Sequence, residues 1–590
     1  MKLSKHTTGC AKIIKSNGEG NNRKTRWFSL LVFIFTLLWV SACTNDYVSL
    51  EPIENEVTPT SPAVAAVIPT VEVDPVQPAA PPVVLPTNTP VEPTAIATPY
   101  TVTLSDFGGI GSVDKPEDPE NTGIGNSDPI TAGTSSMLAS MVKPSVASKE
   151  PPVLYLTQAG DTLPALATRF GVSVAEISAG ISLDRTSFLD PMQMVSIPKR
   201  SVETTSNFKV MPDSEMIFSP SGLDFDIDSF VDNTDGYLST YREYLNSSGW
   251  LDGAGVIRKV AVENSINPRV LLSILEYFSH WVYGQPVGET AQHYPLGHID
   301  PMKKGLYSQL TWAVSQLNVS YYGWREGIVT EVVFPDGSSL KAAPDLNAGT
   351  FATQYLFAQL LDRTAWESAV YTDTGFLATH QQMFGNPWYR ASIVEPLFPA
   401  TITQPQLILP IEKNVEWSFT GGPHAAWGTL GARAALDFSP SLNNSGCEST
   451  DAWVLAAASG VVARAGGGVV VLDLDGDGNE QTGWNLLYMH IATKDRVQVG
   501  DFIEQGQTLG HPSCEGGFST GTHFHIARKF NGEWILAGGP LPFVMDGWEA
   551  HAAAQSYKGT LTKGNESIAA CSCGTQDTVI VRNDLETSNN

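Results

Sequence analysis

Between Ser519 and Ile526 the chain reads Ser519-Thr520-Gly521-Thr522-His523-Phe524-His525-Ile526, a short Gly-containing turn feeding a run of β-forming residues. Side chains alternate across a strand, so the spacing of His523 and His525 sends both imidazoles to one face. Ile526-Ala527-Arg528 continues the alternation. Imidazoles on one face can share a metal, or one can hold the metal while its neighbour handles protons at bound water. Two ordinary half-exposed strand histidines have the same spacing, so the decision rests on company. Tyr488-Met489-His490 closes an apolar run upstream, and His424 and Asp437 stand in Gly-Gly-Pro-His and Ala-Leu-Asp-Phe contexts.

The surroundings are those of an antiparallel β domain. Short strands rich in Val, Ile and Trp recur between Gly-rich turns. Val469 to Leu474 and Trp484 to His490 pair as a hairpin. Their connection, Asp473-Leu474-Asp475-Gly476-Asp477-Gly478-Asn479, has oxygen side chains at alternate positions, as a calcium loop begins. The twelfth position is Trp484 and not Glu, so the loop reads as an Asp/Gly hairpin turn.

This set resembles the lysostaphin/LytM-type zinc metallopeptidases, which cut peptide bonds in bacterial peptidoglycan. The resemblance covers roughly residues 407–545. It is most specific from Val497-Gln498-Val499-Gly500-Asp501 through Gly506-Gln507-Thr508-Leu509-Gly510 to His525. It implies His424, Asp437 and His525 as zinc ligands, with a water in the fourth position. It also implies His490 and His523 as the pair that takes the water's proton and stabilises the oxyanion. One departure stands out. The family places its Asp much sooner after the first His, whereas Asp437 comes thirteen positions after His424 here. An inserted loop, Ala425 to Leu436, is absorbed if the two residues sit on adjacent strand ends, since lengthening a loop costs little.

A chain of 590 residues exceeds one core, so three or four units are expected. The formal net charge is −26, yet residues 1–42 carry seven Lys/Arg and one acid, Glu19. Without them 28 basic residues face 60 acidic ones. That excludes nucleic acid as a partner, because phosphate contacts need a basic surface. Arg23-Lys24-Thr25-Arg26 precedes the apolar run Trp27 to Val40, too short to span a membrane comfortably and suited to a signal-peptide core. The run ends in Val40-Ser41-Ala42-Cys43, which resembles the lipobox of bacterial lipoproteins. That resemblance implies a membrane anchor through lipidated Cys43 and an extracytoplasmic location facing the cell wall. Residues 43–152, rich in Pro, Thr, Val and Ala with few aromatics, read as a disordered spacer. Of the six cysteines, Cys10 lies in the leader. Cys447 and Cys514 fall inside the β unit, where pairing is favoured, and Cys571 and Cys573 are left as a disulfide or free thiols.

Residues 153–199 read as strand, helix, second helix around Val174 to Gly180, and strand. Gly160-Asp161-Thr162-Leu163 and Ile197-Pro198 make this stretch similar to a LysM module, a βααβ fold that binds N-acetylglucosamine-containing glycans. Residues 220–398 read as mostly helical, with helices at Gly255 to Val262, Pro268 to Val282, Tyr307 to Asn318 and Ala348 to Leu361. Ser265 to Glu276 faintly resembles the lysozyme-like domain of lytic transglycosylases. Glu276 lies two residues early for that family's acid, about 200° around the helix, so glycan cleavage is expected to be lost. His280, His293, His298 and His380 are scattered and read as structural or solvent-facing residues and not as ligands.

The expected architecture is therefore multidomain. A leader (1–42) and spacer (43–152) precede a small βααβ LysM-like module, a mostly α lysozyme-like domain (220–398), an antiparallel β LytM-type peptidase domain (399–550) and a tail (551–590). The expected activity is a zinc endopeptidase cutting stem or cross-bridge peptides of peptidoglycan. The alternative is a non-catalytic wall-binding regulator, since some LytM-type domains have lost their ligands.

Overall fold

Val153–Leu156 alternates buried and exposed residues and pairs antiparallel with Met194–Ile197, opening the ordered part of the chain. The computed structural model describes residues 151–440 and 446–583. The expectations for the leader, Cys43 and the spacer up to residue 150 lie outside the described residues. Thr162 caps the helix Leu163–Phe170, with Pro164 in the first turn and Gly171 in the left-handed conformation behind it. The second helix expected here is a single 3₁₀ turn, Val174–Glu176, followed by the short strand Ser178–Ala179. Ser173 and Glu176 close a capping box, but the chain needs Ile177 in the core straight afterwards, so the turn stops there.

The central region is helical, as its periodicity requires. Gly253–Asn264, Pro268–Ser279, Leu306–Glu326 and Ala348–Leu360 are its longest helices. Asn267 caps the second, and Pro268 takes the position where a missing N–H costs nothing.

Among the described residues, nine strands form the main sheet of the C-terminal region. The hairpin Val469–Asp473 with Trp484–Met489 stands at its centre, flanked by Phe524–Phe530, then Ala435–Pro440 and Glu416–His424. Alternation divides its faces. Val470, Leu472, Leu486, Tyr488, Phe524 and Ile526 enter one core. Val469, Val471, Leu487, Met489 and Ala527 enter another, shared with Ala261, Leu317 and Tyr321 of the helices. The face that carries His525 is thus the one the helical region packs against. At Gly532, φ is 80° and an added Cβ would lie 2.1 Å from the Phe218 carbonyl, so only glycine lets the two backbones approach this closely.

Residues 551–590 were expected to be a tail, and the structure corrects this for 551–583. Trp548–Ala552, Gly559–Lys563 and Glu566–Ala569 form a second sheet, and Val579–Val581 pairs with the outer strand Glu416–His424. Leu561, Ile568 and Ile580 are buried at strand spacing. The strands are short and polar on the outside, so their period is weak in the sequence.

Candidate metal centre

Three neighbouring strands set the site. Asp437 lies directly opposite His525, and on its other side the ladder pairs it with Gly421. The register of that second pairing shifts twice between Phe419 and His424. Such bulges re-aim a side chain, and here they bring His424 round to the same point. The gap between His424 and Asp437 is thus spanned by a hairpin whose two ends meet at the site. Gly421 leaves the room: an added Cβ there would lie 2.4 Å from Asp437 Oδ2.

His424 Nε2 and His525 Nδ1 each lie 3.2 Å from Asp437 Oδ1, and 3.0 Å from each other. The remaining ring nitrogens are committed: His424 Nδ1 donates to the Gly422 carbonyl at 2.8 Å and His525 Nε2 to that of Ala426 at 3.1 Å. Those bonds select the tautomers that turn lone pairs toward Asp437. Asp437 Oδ1 itself is buried with no hydrogen-bond donor. Burial opposes charge on His424, yet the Asp437 carboxylate outweighs it and raises its pKa. Burial likewise works to raise the Asp437 carboxyl, but the two imidazoles hold it well below the usual range. The point between these atoms therefore favours a cation. Tetrahedral zinc with bonds of about 2.0–2.1 Å sets its ligand atoms about 3.3 Å apart, close to the spacing found here. The donor set fits zinc.

His490 and His523 stand beside the three donors. Their rings are 4.4 Å apart between centroids, and His523 Nε2 is 4.0 Å from Asp437 Oδ1. His490 Nδ1 donates to the Glu515 carbonyl and His523 Nδ1 to that of Gly521, each at 2.8 Å, which leaves both Nε2 atoms as acceptors. Burial, with His523 and His525 nearby, pushes His490 down to about 3, so its ring is neutral at ordinary pH.

Tyr557 completes the wall and was not singled out from the sequence. Its ring stacks on His424 at 4.1 Å, and its backbone bonds both Gly422 and Pro423. It belongs to the segment read as a tail, and no local pattern marks it. Cys447 and Cys514 are disulfide-bonded, as are Cys571 and Cys573.

Other candidates have structural work. Glu276 accepts from the amides of Val282 and Tyr283 at 2.9 and 3.1 Å, which ties its carboxylate to the turn after its own helix. Asp473 accepts from the amides of Asp475 and Gly478, and Asp477 from that of Asn479, so these carboxylates brace the hairpin turn. Gly160, Asp161, Thr162 and Leu163 are buried. The Asp161 carboxylate binds Tyr155, Gln158 and Arg169, while Gly160 faces the Arg325 guanidinium.

A buried His-Asp-His set on adjacent strand ends, with two further imidazoles beside it, is the equipment of a hydrolytic metalloenzyme. The comparisons with known proteins narrow this class. Residues 446–536 match the family described as "Peptidase family M23", and residues 209–397 match "LasA, N-terminal domain". The chain carries an M23 peptidase domain of the lysostaphin/LytM type behind a LasA-like N-terminal domain. Protease LasA of Pseudomonas aeruginosa is 28% identical over 325 residues, covering 50% of this chain and 70% of that protein. Two solved structures are also similar. Pseudoalterin, an M23 metalloprotease from the deep sea, is 22% identical with a TM-score of 0.24, over 29% of this chain and 96% of its own. The catalytic domain of lysostaphin from Staphylococcus simulans is 26% identical with a TM-score of 0.16, over 21% and 90%.

Two consequences follow for the residues. The M23 match begins after His424 and Asp437, so it is the fold that brings these two to His525. The helical region matches the LasA N-terminal domain over its whole length, whereas the transglycosylase-like stretch was confined to Ser265 to Glu276.

Proposed function

We propose that this chain is a zinc endopeptidase of the bacterial cell wall that cleaves stem or cross-bridge peptides of peptidoglycan. The observation that carries the reading is the convergence of His424 Nε2, Asp437 Oδ1 and His525 Nδ1 beside the free Nε2 atoms of His490 and His523. Bound zinc supplies Lewis acidity that brings the pKa of a coordinated water near 7. His424, Asp437 and His525 hold the ion. His490, neutral and fixed by Glu515, accepts a proton at Nε2, and His523 Nε2 faces the same space. Once protonated, His490 donates from Nε2 to the oxyanion of the tetrahedral intermediate, the step where preorganised donors lower the barrier most.

An acidic, Pro-rich chain with its expected lipid anchor at Cys43 suits work outside the cytoplasm, with peptidoglycan as partner and no nucleic acid. Among the described residues no helix is long and apolar enough to cross a membrane. The LysM-like module at 153–199 adds glycan contact in this reading. The deciding experiment measures zinc in the purified chain and sequences the muropeptides it releases from isolated sacculi. New peptide ends with stoichiometric zinc are expected. A chain that binds sacculi and releases nothing is the regulator instead.

A further inference from the structure

We infer that the Cys447–Cys514 disulfide is a positioning element for the two non-ligand histidines, which makes turnover, but not zinc binding, depend on its oxidation. The inference rests on the endopeptidase reading above.

The residues on both sides of each cysteine hold those histidines. Ser513, just before Cys514, donates to the His490 carbonyl through its amide at 2.7 Å and its hydroxyl at 3.0 Å. Glu515, just after it, accepts a hydrogen bond from His490 Nδ1 on its carbonyl at 2.8 Å. The Ser513 carbonyl also receives the His523 amide at 3.4 Å. Across the bridge, Gly446 accepts from the Thr522 amide at 3.0 Å and Glu448 from the Thr522 hydroxyl at 2.5 Å. Thr522 is the residue before His523. One covalent bond, with Cα atoms 5.7 Å apart, thus joins the segment that fixes His490 to the segment that fixes His523.

His490 needs such support. Its φ is 62°, a left-handed conformation that is strained for a non-glycine residue and persists only where its surroundings impose it. The zinc ligands do not share this dependence. Their positions come from the ladder of three strands and from the carbonyls of Gly422 and Ala426. Reduction therefore loosens one half of the site only. A further consequence is that the enzyme turns over fully only in an oxidising compartment.

The test compares the wild-type chain, Cys447→Ala/Cys514→Ala, and the control Cys571→Ser/Cys573→Ser on sacculi, with kcat, KM and zinc measured for each. A misplacement of about 1 Å costs up to ~10²-fold in rate, so kcat of the first variant should fall ~10- to 100-fold with KM and zinc unchanged, and the control should match wild type. Reduction of wild type by a phosphine gives an arm that does not depend on the variant folding. One water supplies the oxygen of the phosphine oxide and the two protons of the thiols. The same fall in kcat should appear, and re-oxidation should restore it. Unchanged kcat without the disulfide overturns the inference, and so does zinc lost in step with activity. Wild type that binds zinc but cuts nothing refutes the endopeptidase reading alone. The ring-proton resonances of His490 and His523 then still decide the positioning claim: they should move on reduction while those of His551 stay, and constancy would sink it.

Discussion

Asp437 and His525 stand directly opposite each other on adjacent antiparallel strands, with Oδ1 and Nδ1 3.2 Å apart and no hydrogen-bond donor for the carboxylate oxygen. Directly opposed side chains on one sheet face are close enough to share an ion. His525→Ala and Asp437→Ala should therefore lose zinc and activity together. His523→Ala and His490→Ala should keep zinc while turnover falls by about 10²–10⁴-fold. Metal analysis beside activity on sacculi separates the two groups. If Asp437→Ala retains its zinc, another donor completes the site.

Gly421 tests the same geometry from outside the ligand set. The Cβ of Gly421→Ala would reach 2.4 Å from Asp437 Oδ2, so the carboxylate must move. Changes of this kind behind a ligand typically cost 10–100-fold in metal affinity, and a competition titration with a zinc chelator should show a loss of about that size.

Arg325 joins three parts of the chain. Its guanidinium lies 3.0 Å from Asp213 and 3.1 Å from Glu533, and it donates to the Ala159 carbonyl of the N-terminal module. It is buried in each contact. Arg325→Ala leaves Glu533 and Asp213 without their partner, which costs about 3–5 kcal/mol where a buried charge loses its counterion. Urea denaturation should show that loss. Arg325→Met with Glu533→Gln should recover part of it by removing both charges.

His380 gives the helical region an acid limit. It is fully buried, with Nδ1 2.9 Å from Ser273 Oγ and Nε2 3.1 Å from Arg390 Nη2. Burial first, then Arg390 and Arg269, push its pKa from 6.5 down to about 3. The unfolded chain binds the proton more readily, so this contribution is whole above pH 6.5 and is lost as pH falls toward 3. By pH 5 the loss is about 2 kcal/mol. Denaturation midpoints at pH 7.5 and 5 should show it, and His380→Gln should flatten the difference.

Periodicity alone located much of the architecture. The helices at Gly253–Asn264, Pro268–Ser279, Leu306–Glu326 and Ala348–Leu360 overlie the expected ones, because their apolar spacing and caps are local properties. Likewise the hairpin Val469–Asp473 with Trp484–Met489 followed from alternation and its Asp/Gly turn. The late strands at Gly559–Lys563 and Glu566–Ala569 did not, since a few residues with a polar outer face carry too little pattern to be distinguished from a tail.

The site divides in the same way. That His523 and His525 share a face is a property of the strand, and the sequence by itself determined it. That His424 and Asp437, thirteen positions apart, meet His525 was decided by the register of three strands and the bulges at Gly421, which no local signal encodes. The stacking of Tyr557 on His424 belongs to the tertiary structure too. Strand periodicity is set by neighbouring residues, whereas contacts between segments far apart in the chain depend on which packing buries the most apolar surface over the whole domain.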